Sequence, residues 1–110
     1  MAYIVIRGRD FGPGFAITIL NISGPSSYDA TNGFKIDMKN YGMAKVHYAL
    51  AKIREAGAYQ VEIVSISGSE ITMRFYTIAA DTTTGEISPT EVSNGTDLSS
   101  LTVELVVLGQ

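Results

Sequence analysis

Acyl or phosphoryl transfer by side chains needs a nucleophile, a base beside it and an acid that orients the base. Serines are plentiful in this 110-residue chain, but His47 is its single histidine, and it stands between Val46 and Tyr48. A lone histidine in such a setting reads as a surface or satisfied core residue, and no lysine stands out as a catalytic base. Cysteine is absent, which excludes disulfides, thiolate metal sites and thiol nucleophiles together. The acids do not follow the Asp-rich loop spacing that cages calcium. Gly8, Gly12 and Gly14 suggest a phosphate cradle, yet the remaining glycine spacing is missing and no helix pattern follows them. Gly12-Pro13-Gly14 reads as a turn. The residue inventory therefore predicts no catalytic site, no metal and no cofactor.

What remains is chemistry of contact. The chain has six tyrosines, and tyrosine is favoured where an apolar ring meets a wet surface. Tyr28 follows a Ser/Pro turn and Tyr76 falls on the polar face of its strand, so these two are the predicted partner-facing rings. Charge is unevenly distributed: all eight Lys and Arg precede residue 75 beside six acids, whereas five acids and no base follow it. Glu86, Glu91 and Asp97 in that acidic portion are predicted to complement a basic partner. With a net charge of −3, binding to nucleic acid is not expected. The apolar runs fall far short of the roughly 20 residues that cross a bilayer, and no basic segment precedes an apolar one, so neither a membrane span nor a secretory signal is expected.

The elements that must position these residues are mostly strands. Tyr59, Val61 and Ile63 alternate with Gln60 and Glu62, and Ile71, Met73 and Phe75 alternate with Glu70, Thr72 and Arg74. Gly68 between them supplies the positive φ of a tight return, so the pair reads as a hairpin. Tyr3 to Ile6 and Phe15 to Ile22 are β-branched or aromatic and bounded by glycine and proline. Leu101 to Leu108 alternates and turns wholly apolar near its end, the mark of a central strand. Over 41–56 two periods fit. Met43, Val46, Leu50 and Ile53 make a helical stripe in a segment rich in Ala, Lys and Arg, whereas Val46, Tyr48 and Leu50 also alternate as a strand. Ten of the 24 residues from Thr77 to Ser100 are Ser or Thr, so 77–100 reads as a polar loop or contact arm, or else hides a short strand near Glu86 to Val92. One domain over 1–110 is expected, mainly β, an antiparallel β-sandwich or jelly-roll-like barrel with a short helix at 41–56 as the open alternative.

Several short segments carry a resemblance. Met1-Ala2-Tyr3-Ile4-Val5 opens the chain, Phe11-Gly12 and then Tyr28 with Thr31-Asn32-Gly33-Phe34 follow, and Asn94-Gly95-Thr96-Asp97-Leu98-Ser99 precedes a last apolar strand. In this order they resemble small tailed-phage virion proteins encoded near the major capsid protein. The Gly-Thr-Asp-Leu-Ser segment is the most distinctive piece. Asn32-Gly33 departs from the two glycines usual there, and the middle of the family varies. The resemblance implies a strand at 41–57 and a non-enzymatic capsid decoration, or cement, protein. Such a protein would bind the head shell in many copies, often as a homotrimer, with the major capsid protein or other virion proteins as partners. Location on the virion surface after synthesis in the host cytoplasm follows from the same likeness. It further implies a structural turn in which Gly95 adopts a left-handed backbone, Thr96 or Asp97 caps nearby amides and Leu98 plugs the end of the barrel. The alternatives are a β-sandwich module that recognises glycans or a host surface, and a head-tail or tail component.

Overall fold

The computed structural model describes residues 2–6, 15–55, 57, 59–80 and 87–110. Eight strands occur among them: β1 (Ala2–Ile6), β2 (Ala16–Ser23), β3 (Phe34–Asp37), β4 (Val46–Ile53), β5 (Tyr59–Ser67), β6 (Glu70–Ala80), β7 (Ile87–Glu91) and β8 (Thr102–Gly109). They form two antiparallel sheets of four strands. The first has the order β1-β2-β8-β4, and the second runs β3-β6-β5 with β7 also on β6. The result is a β-sandwich with a mainly antiparallel-β fold.

Alternation builds the core. In β2, Ala16, Thr18, Leu20 and Ile22 are buried, and in β8, Val103, Leu105 and Val107 are fully buried. β8 lies between β2 and β4, pairing Leu105 with Leu20 on one side and with Ala51 on the other. From the second sheet, Ile71, Met73 and Phe75 of β6 complete one continuous apolar cluster with them. Fully burying an aliphatic or aromatic side chain contributes about 1.5–3 kcal/mol, so these layers supply most of the driving force. The β5–β6 hairpin turns through Gly68 and Ser69, with Gly68 at φ +61°. A bulge between Ile63 and Ser65 shifts the register of β5.

Among the described residues of 41–56 there is no α-helix. A short 3-10 turn over Met38–Tyr41 ends at Gly42, with φ +81°, and β4 follows from Val46. Pairing along nearly the whole of β8 overrides the local preference of Ala, Lys and Arg for helix, because only an extended chain can complete that ladder. The expected polar arm at 77–100 also gives way in part. β6 continues to Ala80, and β7 carries Pro89 opposite Ile78. Proline is tolerated there because β7 lies at the border of the sheet, where one face of its backbone needs no ladder partner.

β6 is the spine of the second sheet. β5 runs along one side of it. On the other side β3 pairs with residues 70–73 and β7 with residues 76–80, so two short strands lie end to end along one long one. Beyond β7 the chain turns at Gly95, with φ +86°, and passes beside the end of β2, where Leu98 is buried and its N–H donates to the Pro25 carbonyl. Gly24 passes so close to this segment that a Cβ on it would run into the Leu98 carbonyl, whereas the space around Gly95 is open.

Two glycine substitutions should therefore differ in cost. Gly95→Ala meets only the left-handed backbone penalty, about 1 kcal/mol. Gly24→Ala forces backbone apart and is expected to cost about 2–3 kcal/mol. Urea unfolding of both variants, compared by midpoint at equal slope, gives the ranking.

Candidate functional site

The residues expected to face a partner fall into two groups. Tyr28 is the clearest correction. Its ring is only 1% exposed and packs edge-on against Phe75, with centroids 5.7 Å apart. Its hydroxyl accepts from the Phe75 N–H at 3.2 Å and donates to Glu91 Oε2 at 2.8 Å. The Phe75 carbonyl receives the Val92 N–H, so the hydroxyl occupies the place that a continued β7 would have filled. Tyr28 is thus a seam residue and not a contact ring.

Glu91 belongs to the same cluster. The Arg74 guanidinium donates to its Oε2 at 2.6 Å and also reaches the Ala30 and Thr31 carbonyls at 2.7 and 3.2 Å. Together Tyr28, Arg74 and Glu91 fasten the 28–33 loop to β6 and β7. The hydrogen bond from Arg74, then that from Tyr28, holds the Glu91 carboxyl below its ordinary range, while burial first and Glu91 second push the Tyr28 hydroxyl up. Glu91 is thus paired within the chain while its side chain stays 33% exposed.

The Gly95–Leu98 turn is bonded to the same loop, with Gly95 and Asp97 exposed and Leu98 buried. The Gly95 N–H donates to the Tyr28 carbonyl, and the Tyr28 N–H donates to the Thr96 carbonyl. The Thr96 hydroxyl donates to the Ser93 carbonyl at 2.7 Å, and Asp97 Oδ1 receives both the N–H and the hydroxyl of Ser99. These bonds to Ser99 hold the Asp97 carboxyl below its usual value. Leu98 is buried, with its N–H donating to the Pro25 carbonyl. Tyr76 is half-buried, in register with Gln60 on β5 and Glu91 on β7. Glu86 lies outside the described residues. His47 is exposed on β4, its ring 5.2 Å from that of Phe15.

The surface that sequence reasoning missed is the outer face of the first sheet. Register places Ile17 (β2), Leu108 (β8) and Tyr48 (β4) in one row across the strands, and Ile19, Val106 and Leu50 in the next. β1 sets Ile6 and Ile4 at the ends of these rows. Beyond them a third row is polar: Asn21, Glu104 and Lys52. Tyr48 and Leu50 are 56% and 55% exposed, and Val64 and Ile66 of the adjacent β5 are also exposed. The Val46 N–H donates to the Gly68 carbonyl, which sets the start of β4 beside the end of β5. An open depression of about 350 Å³ lies on this face, lined by Leu50, Lys52, Glu104 and Val106 with Ala51. Lys52 and Arg54 both approach Glu104, at 4.0 and 3.9 Å, so the carboxylate of the polar row is flanked by two cations. Such a face offers adhesion by apolar area and orientation by its polar border. The signal was present in the sequence, because Ile17-Thr18-Ile19-Leu20 and Leu105-Val106-Val107-Leu108 carry apolar residues at both phases of the alternation.

No family model, curated protein or solved structure matches the chain. Among the described residues, no group of three His, Cys, Asp or Glu stands together to hold a metal ion.

Tyr28→Phe keeps the ring and removes the hydroxyl, leaving the Phe75 N–H buried without its acceptor. A loss of about 1–3 kcal/mol is expected, read from the urea midpoint. The Arg74–Glu91 contact adds a pH dependence of known sign. Because the folded state depresses the Glu91 carboxyl, its contribution is complete above the ordinary carboxylate range and disappears as pH falls through the lowered folded value. Stability measured by thermal melts from pH 7 down to 3 should therefore decline less steeply in Glu91→Gln, which starts lower at neutral pH.

Proposed function

We infer that this chain is a non-enzymatic structural protein of a tailed phage, a capsid decoration protein that works by adhering in many copies. The observation that carries this reading is the apolar outer face of the first sheet. The fold already has a filled core, so six large apolar side chains across β2, β8 and β4 are a second hydrophobic layer that the isolated sandwich does not need. The likeness of the Gly95 to Ser99 segment to small virion proteins points in the same direction and supplies the partner, the head shell. A rigid sandwich gains strength in such a role through repetition, since many weak contacts on one lattice act together. Tyr28 is buried and Glu91 is engaged by Arg74 and Tyr28, so the apolar face is the broader surface left for contact.

A second reading, a module that binds glycans or a host surface, draws on the exposed ring of Tyr48, since sugar platforms are built from exposed aromatic rings.

Purified protein should co-sediment with phage capsid shells that lack it, saturating at a fixed number per shell. Protein left in the supernatant at every ratio would overturn the reading. Sugar binding by the protein, lost in Tyr48→Ala, would favour the second one.

A further inference from the structure

We propose that the outer face of the first sheet is the docking surface for a second copy of this chain, joined face to face about a two-fold axis parallel to the strands. This rests on the reading of the chain as an assembly protein and names the surface used between copies.

The order of residues on the face selects the occupant. Across the sheet, the rows read Ile17, Leu108, Tyr48, then Ile19, Val106, Leu50, then Asn21, Glu104, Lys52, from β2 through β8 to β4. A two-fold axis running along the strands, between β2 and β8, keeps each row opposite the same row and reverses the strand order. Ile17 then faces the partner's Leu108, Ile19 faces the partner's Val106, and Leu50 of β4 lies over the register position of Ile4 in the partner's β1. In the polar row, Glu104 faces the partner's Asn21, so the carboxylate meets an amide and never a second carboxylate. Lys52 lies over the small Ala2 of the partner's β1. A two-fold axis across the strands fails this test, since it would lay Asn21, Glu104 and Lys52 on the Ile17 row and bury charge against hydrocarbon. About an axis along the strands the face meets itself row for row, which is the property an isologous contact requires. Sheets that stack this way in sandwiches cross at about 30° and lie about 10 Å apart, which relaxes the pairing at the corners and keeps it near the axis.

Strands about 4.8 Å apart and residues about 3.4 Å apart give the four-strand face a footprint on the order of 400 Å². That is below the roughly 800 Å² per partner of a standard interface. The expected complex is a reversible dimer that appears with rising concentration and, being apolar, tightens in sulfate.

Sedimentation velocity up to about 100 μM tests the proposal. The wild-type protein should shift from monomer toward dimer, and Leu50→Asp should remain monomeric with an unchanged unfolding midpoint. Tyr48→Ser repeats the measurement without a new charge, and Glu62→Lys on the second sheet should dimerise as the wild type does. A wild-type chain that stays monomeric throughout, or a Leu50→Asp chain that dimerises equally, overturns it. Co-sedimentation with capsid shells separates the two readings. Leu50→Asp that still binds shells while failing to dimerise supports a self-docking face. A monomeric wild type whose shell binding is lost in Leu50→Asp makes the shell the occupant, which overturns the second copy and leaves the proposed function standing.

Discussion

One hydroxyl holds together the two halves of the second sheet's border. β6 is longer than either strand on its outer side, and the ladder breaks where β3 has ended and β7 has not fully begun. The Phe75 N–H falls in that break, and an unpartnered buried amide costs more than an ordinary hydrogen bond contributes. The Tyr28 hydroxyl takes it, and in doing so is fixed toward Glu91, which in turn fixes Arg74. From this point the 28–33 loop, the end of β7 and the turn at Gly95 all acquire their positions. The backbone of Tyr28 also exchanges bonds with the Gly95–Thr96 turn, so one residue, by ring hydroxyl and by main chain, ties together segments nearly seventy residues apart in the chain.

The first sheet obeys a different constraint. Its inner face is filled by alternating residues of β2 and β8, and small Ala49 and Ala51 on β4 let that strand lie close against the core. Its outer face repeats the apolar pattern with larger side chains. A sheet apolar on both sides within a two-layer fold has one side without a layer, and the polar border of Asn21, Glu104 and Lys52 limits that side at one end. The contact function inferred for this chain is a consequence of that surplus layer.

Much of this was legible in the sequence where short-range pattern decided the outcome. The β5–β6 hairpin follows from alternation on both sides of Gly68, and β8 as a central strand follows from its unbroken apolar end. Two segments stayed open in the sequence for opposite reasons. In β4, the composition of Ala-Lys-Ile-Arg favours helix, and only pairing with β8, some fifty residues later, makes the chain extend. In β7, Pro89 and a run of Ser and Thr suppress the strand signal, yet a border position tolerates both. Tyr28 could not be placed from sequence at all, since its partners lie 47 and 63 residues away. Its neighbours, a Ser/Pro turn and an aspartate, resemble those of an exposed ring. The outer apolar face was visible as two-phase hydrophobicity in β2 and β8, but burial against a second layer of the same chain would have left the same trace.

The central place of β8 governs the timing of assembly. Its partners β2 and β4 are made well before it, and neither can pair with the other in its absence, so the first sheet stays open until residue 109 has left the ribosome. During that interval the β5–β6 hairpin, whose contacts are local, can already be formed. β2 meanwhile waits with an unpaired, strongly apolar edge. The open first sheet, with that apolar edge uncovered, is therefore a stage every molecule passes before β8 inserts between β2 and β4.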